Sequence, residues 1–161
     1  MEGNETNYAE KCSKLTGWDG VDEIVCFRYQ RMMRYGGKWH MEKRMALPGY
    51  VFLSGIINET NVKKILHWER EDGQKDFIIP CEMPYLKELC QENNLIKMSR
   101  GIIRRGVTVV FSGPLKGRER LIQRIDRHKR TADIEIPFAG DKKQVTVGLE
   151  ICEKETLRDR Q

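Results

Sequence analysis

Val107-Thr-Val-Val-Phe-Ser-Gly-Pro-Leu-Lys-Gly-Arg118 joins an apolar, β-branched run to a Gly-Pro turn and then to a basic loop. Valine, threonine and phenylalanine in succession predict a strand, and Gly113-Pro114 predicts that it ends in a turn. The same grammar repeats downstream. Leu121–Asp126, Ala132–Ile136 and Val145–Ile151 read as short strands separated by turn signals at the spacing of a small barrel. The last two alternate cleanly. Ala132, Ile134, Ile136 and Phe138 face inward with Asp133 and Glu135 in water; Val145, Val147, Leu149 and Ile151 face inward with Thr146 and Glu150 outside. A barrel of about 50 residues has a small core, but closure removes its sheet edges.

Upstream the period changes. Thr6–Leu15 reads as an amphipathic helix, Glu23–Tyr29 and Gly49–Leu53 as strands, and Thr60–Trp68 as a helix behind an Asn-Glu-Thr-Asn capping stretch. Asp76–Ile79 adds a short strand, and Pro84–Gln91 a helix with Pro84 in its first turn and Leu86 and Leu89 on one face. Alternating strands and helices predict an α+β sandwich, one sheet with helices packed on it. The 161 residues therefore divide into a domain over residues 1–98, a linker over 99–106 marked by Ser99, Gly101 and Gly106, and a second domain over 107–161. Two small domains fit that length.

Charge follows the same division. Residues 1–98 hold 14 Lys and Arg against 15 Asp and Glu, whereas residues 99–161 hold 15 against 9. The whole-chain net of +5 thus belongs to the C-terminal part. The longest apolar stretch of the whole chain, Tyr50–Ile57, is broken by Ser54 and Gly55 and falls far short of the roughly 20 residues that span a bilayer. With no basic-then-apolar leader, a cytoplasmic protein is expected. The five cysteines, Cys12, Cys26, Cys81, Cys90 and Cys152, contain no C-x-x-C pair, so free buried thiols are expected rather than disulfides or a zinc site.

Catalysis finds little support. His40, His67 and His128 do not stand at metal-ligand spacing from one another or from a cysteine. Gly113-Pro-Leu-Lys-Gly-Arg118 lacks the ending that makes a phosphate-binding P-loop. The expectation is a non-enzyme without catalytic residues, metal or cofactor.

Three stretches are candidates for binding. The first runs from Gly113 to Arg130 and places Lys116, Arg118 and Arg120 in one turn and Arg127, His128, Lys129 and Arg130 in another. A solvated charged hairpin fits this composition as well as a phosphate-binding surface does. The clustering of six cations in two turns favours nucleic acid, with arginine adding bidentate phosphate bonds and stacking on unpaired bases. The second, Leu47-Pro-Gly-Tyr-Val-Phe-Leu53, has apolar residues on both faces: it is either a central strand or one whose Tyr50 and Phe52 form a protein-docking patch. The third, Arg28–Arg44, interleaves basic residues with Met32, Met33, Tyr35 and Trp39 around Gly36-Gly37. It reads as a long hairpin, either a solvated loop or a grip on single-stranded nucleic acid.

Leu-Pro-Gly-Tyr-Val-Phe-Leu after a basic loop, followed by Gly-Val-Thr-Val-Val-Phe-Ser-Gly-Pro-Leu-Lys-Gly, resembles the NusG family of transcription elongation factors. Gly-Pro-Leu-Lys-Gly-Arg-Glu, Ile-Asp-Arg-His-Lys-Arg and Val-Gly-Leu-Glu-Ile look most like its LoaP antitermination subfamily. The resemblance implies an N-terminal NGN α/β sandwich and a C-terminal KOW domain, an SH3-like small β-barrel. It implies docking on the clamp helices of the RNA polymerase largest subunit through Pro48, Gly49, Tyr50 and Phe52. It further implies binding of a nascent RNA hairpin through Lys116, Arg118, Arg120, Arg127, His128, Lys129 and Arg130, with Arg31, Arg34, Lys38 and Arg44 near upstream or non-template DNA. A monomer that suppresses termination is expected; a general NusG-type factor recruiting protein partners and a ribosome-associated KOW protein are the alternatives. Two departures stand out. Arg120 occupies a position where KOW sequences usually have glycine, and Gly3-Asn4-Glu5 comes almost directly after Met1 where the family has a preceding strand. A missing N-terminal strand, about eight to ten residues, is therefore expected.

Overall fold

A computed structural model of the chain describes residues 20–56, 58, 60 and 84–155. The helix expected at Thr6–Leu15, nearly all of that at Thr60–Trp68, the strand at Asp76–Ile79, and Cys12, Cys81 and His67 lie outside the described residues. The described part is mostly β-sheet. The chain forms two compact units, Met1–Cys26 with Pro48–Cys81, and Phe27–Leu47 with Glu82–Gln161.

In the first unit, β1 (Val21–Val25) pairs antiparallel with β4 (Phe52–Gly55), placing Val25 opposite Phe52 and Ile24 opposite Leu53. The strand expected at Gly49–Leu53 thus begins later, at Phe52. Gly49 has a φ of 83°, a left-handed conformation that ends extended structure there. Val25 and Phe52 are both buried.

The second unit begins with a hairpin of β2 (Arg28–Tyr35) and β3 (Lys38–Met45). Tyr35 pairs with Lys38 across Gly36-Gly37, whose φ angles are 57° and 76°. Positive φ at both central residues is what a two-residue turn needs to match strand twist. A short strand, β5 (Leu95–Ile96), lies parallel to β2. Before it comes α1 (Pro84–Leu89), with Leu86 and Leu89 buried, two residues shorter than the expected helix.

A five-stranded sheet completes this unit, in the order β7-β6-β10-β9-β8. These strands are β6 (Ser99–Arg104), β7 (Val107–Ser112), β8 (Ile122–Asp126), β9 (Thr131–Phe138) and β10 (Asp141–Glu155). Residues 99–106, expected as a linker, are corrected by this: Ser99–Arg104 is a strand, and 105–106 is the turn into β7. Gly101 permits it, since a Cβ there would stand 2.7 Å from the Val109 carbonyl oxygen. The inward pattern of β9 and β10 is as expected, with Ala132, Ile134, Ile136, Val145, Val147 and Leu149 buried. Phe138 and Ile151 sit half-buried at the ends of the pattern. Burying the five valine, leucine and isoleucine side chains among them, at about 1.5–3 kcal/mol each, makes this pair the centre of the sheet's stability.

Candidate nucleic-acid interface

The turn between β8 and β9 starts at Asp126. Its carboxylate accepts the Lys129 backbone N–H at 2.9 Å, closing the turn. That hydrogen bond, with the Lys129 charge, holds the Asp126 carboxyl below the usual aspartate range. Arg130 then adopts a φ of 52°, a conformation that costs a non-glycine residue about 1–2 kcal/mol. Its backbone carbonyl accepts the Leu149 N–H at 3.0 Å. Its guanidinium meets Glu150 Oε1 at 2.8 Å and lies 3.6 Å from the centroid of the Trp39 ring.

Around this turn lies a surface pocket of about 550 Å³, lined by Arg124, Ile125, Asp126, Arg127, His128, Arg130, Glu150 and Ile151. That volume lies within the ordinary range of ligand sites. Three guanidiniums and an imidazole surround two carboxylates, and the carboxylates are engaged: Asp126 by Lys129, and Glu150 by Arg130 and by Arg100 Nε at 3.0 Å. Glu150 in turn raises the Arg100 pKa through its hydrogen bond and charge. Arg124 and Arg127 make no ion pair to a described residue. The pocket therefore presents two unpaired guanidiniums and one fixed one, an arrangement suited to phosphate oxygens.

The expected RNA-binding residues divide. Arg127, His128 and Arg130 line the pocket, while Lys129 stands exposed on the same turn. Lys116, Arg118 and Arg120 do not line it. Their loop is anchored by Leu115, which is fully buried and donates its N–H to Ser99 Oγ at 3.1 Å. Arg118 donates to the Pro114 carbonyl at 3.2 Å and approaches Glu88 at 3.7 Å. Glu119 Oε1 accepts the Val110 N–H at 3.1 Å. Lys116 and Arg120 remain exposed. Arg124 and Glu150 were missed from sequence. They sit on strands that only the β8-β9-β10 pairing brings together, and Arg124 had one available signal, its place in the same basic run.

The hairpin cations divide as well. Arg44 binds Glu42 at 3.1 Å and Arg31 approaches the same carboxylate at 3.9 Å, so both are paired. Arg34 and Lys38, at the tip, are exposed and make no ion pair to a described residue.

In the first unit, Pro48 and Gly49 are exposed and Tyr50 is half-buried, its carbonyl facing the Cys26 thiol at 3.8 Å. Phe52 is only 5% exposed. Its burial, opposite the equally buried Val25, fits the strand reading of this stretch rather than a place for Phe52 on an exposed patch. Ile56, which sequence reading did not single out, is 85% exposed. Among the described cysteines, Cys26 and Cys90 are half-buried and Cys152 is exposed, against the expectation that all are buried. Burial pushes the Cys90 thiol up to about 11, so it stays protonated and unreactive at neutral pH. No helix among the described residues is long and apolar enough to cross a membrane.

Compared with known proteins, the chain matches no family model and no curated protein.

Proposed function

We propose that this protein is a transcription antitermination or processivity factor of the NusG type, most like LoaP. Its N-terminal region, an NGN sandwich in this reading, docks on RNA polymerase. Its C-terminal sheet, read as a KOW barrel, binds a structured leader RNA. The observation that carries the RNA half is the pocket at the β8–β9 turn, where Arg124, Arg127 and Arg130 converge around 550 Å³ with the first two unpaired. The excess of basic residues over 99–161 supports it, since each phosphate contact adds close to one unit of salt dependence to binding. Exposed Pro48 and Gly49 next to half-buried Tyr50 in the chain, and exposed Ile56 after β4, support a protein-facing surface in the first unit.

One observation favours the reading in which the C-terminal sheet also recruits a protein. Val107, Val109 and Phe111 alternate along the edge strand β7 and are all exposed. An apolar face on the edge strand of the described sheet suits protein docking better than RNA.

Two variants separate the halves. Tyr50→Ala is expected to reduce co-purification of RNA polymerase while leaving leader-RNA affinity intact, and Arg127→Glu with Arg130→Glu to do the reverse. Polymerase recovery unchanged by Tyr50→Ala contradicts the docking half. RNA affinity unchanged by the charge reversal contradicts the RNA half.

A further inference from the structure

We infer that the tip of the β2–β3 hairpin belongs to the same ligand site as the β8–β9 turn. Trp39 stacks on an unpaired base of an RNA stem–loop whose phosphates lie on Arg124, Arg127 and Arg130. This rests on the RNA-binding reading above and specifies which form of RNA the site takes.

The hairpin is no free arm. Residues of β2 and β3 that pair across the ladder share a face, so Gln30, Met32, Arg34, Trp39, Met41 and Lys43 lie on one side. Gln30 of that face is seated on the five-stranded sheet. Its side-chain oxygen accepts the Met98 N–H at 3.2 Å, and its carbonyl oxygen stands where a Cβ on Gly148 would fall. Anchored at its base, the hairpin carries its tip to the pocket, where Trp39 meets Arg130 at 3.6 Å. Arg130 is itself a pocket residue, so the indole borders the pocket.

Trp39 nonetheless remains 38% exposed, with the unpaired cations Arg34 and Lys38 beside it. An indole serving only to clip the hairpin down has no need of that exposure or of cations around it. A base has both uses for it: its π-face stacks on the indole and its phosphate meets the cations. The guanidinium on one face of the ring completes a base–indole–guanidinium stack when a base arrives from the solvent side. Along its length an A-form duplex offers no base face, because its bases are stacked inside and its shallow groove shows only edges and hydroxyls. The ligand that uses Trp39 must therefore splay out a nucleotide, as a loop or bulge does.

The test uses the full chain and two fluorescently labelled RNAs, a blunt duplex and the same stem closed by a loop of adenines, with affinities read by anisotropy at about 50 mM salt. Trp39→Leu is expected to weaken stem–loop binding about 5- to 150-fold, the range of losing one base–aromatic stack. It leaves duplex affinity unchanged, and Trp39→Phe restores most of the loss. Equal weakening toward both RNAs overturns the inference, because it makes Trp39 a structural clip alone. So does no weakening toward either. Wild-type protein that binds neither RNA instead contradicts the RNA-binding reading itself, an outcome independent of Trp39.

Discussion

Residues 113–121 and 126–130 each place three Lys or Arg residues in a turn of the same sheet, yet their surroundings differ. In the first, a leucine fills the interior, its amide is tied to a buried serine, and the central arginine folds back onto the loop's own carbonyl. In the second, no side chain between Arg127 and Arg130 is buried. The turn is held instead by one aspartate and by the backbone of Arg130, which leaves its two arginines around a pocket. A loop that contributes a hydrophobic anchor has its geometry set by the core, and its charges fall where that geometry leaves them. A loop closed by backbone hydrogen bonds is at liberty to aim its side chains at a ligand.

The largest expected effect breaks the first turn. Leu115→Ala removes a fully buried side chain and should lower stability by about 2–5 kcal/mol. Ser99→Ala leaves the Leu115 N–H without its acceptor and should cost about 1–3 kcal/mol. Both are measured by denaturant unfolding, and neither substitution touches the pocket. Comparable losses from Arg127→Ala would erase the distinction between the two turns.

Smaller, and specific to the second turn, is its response to acid. The Asp126 carboxyl titrates below its ordinary 3.8 because the Lys129 amide binds the charged form. A depressed carboxylate pKa stabilises the folded turn above the unfolded value and loses that contribution as pH falls through the folded one. The Lys129 amide proton, followed by NMR, should therefore shift with a midpoint below 3.8. A midpoint at or above that value would mean that the turn is not closed by Asp126.

The legible parts of the sequence were those in which one face is buried and the pattern is strict. In β9 and β10, Ile134, Ile136, Val145 and Val147 alternate with polar residues and all face inward. Elsewhere the same residue types served ends that composition does not reveal. Ser99 and Gly101 look like linker residues, but one is a buried acceptor and the other admits the backbone of β7. Phe52 looks like a docking residue beside Tyr50, but its cross-strand partner Val25 decides its burial. The site was half legible. Arg127, His128 and Arg130 follow one another in the chain, whereas Glu150 and Trp39 reach Arg130 only through strand pairing and hairpin packing that no local pattern encodes.

The salt dependence of RNA binding tests the difference between the turns most directly. Stem–loop affinity is titrated against salt for the wild type, for Arg124→Gln with Arg127→Gln and Arg130→Gln, and for Lys116→Gln with Arg120→Gln. If the pocket holds phosphates, the first variant loses about one unit of logarithmic salt slope per cation removed while the second keeps the wild-type slope. A slope that falls with Lys116 and Arg120 and holds without the pocket arginines would place the RNA on the other turn and contradict the account.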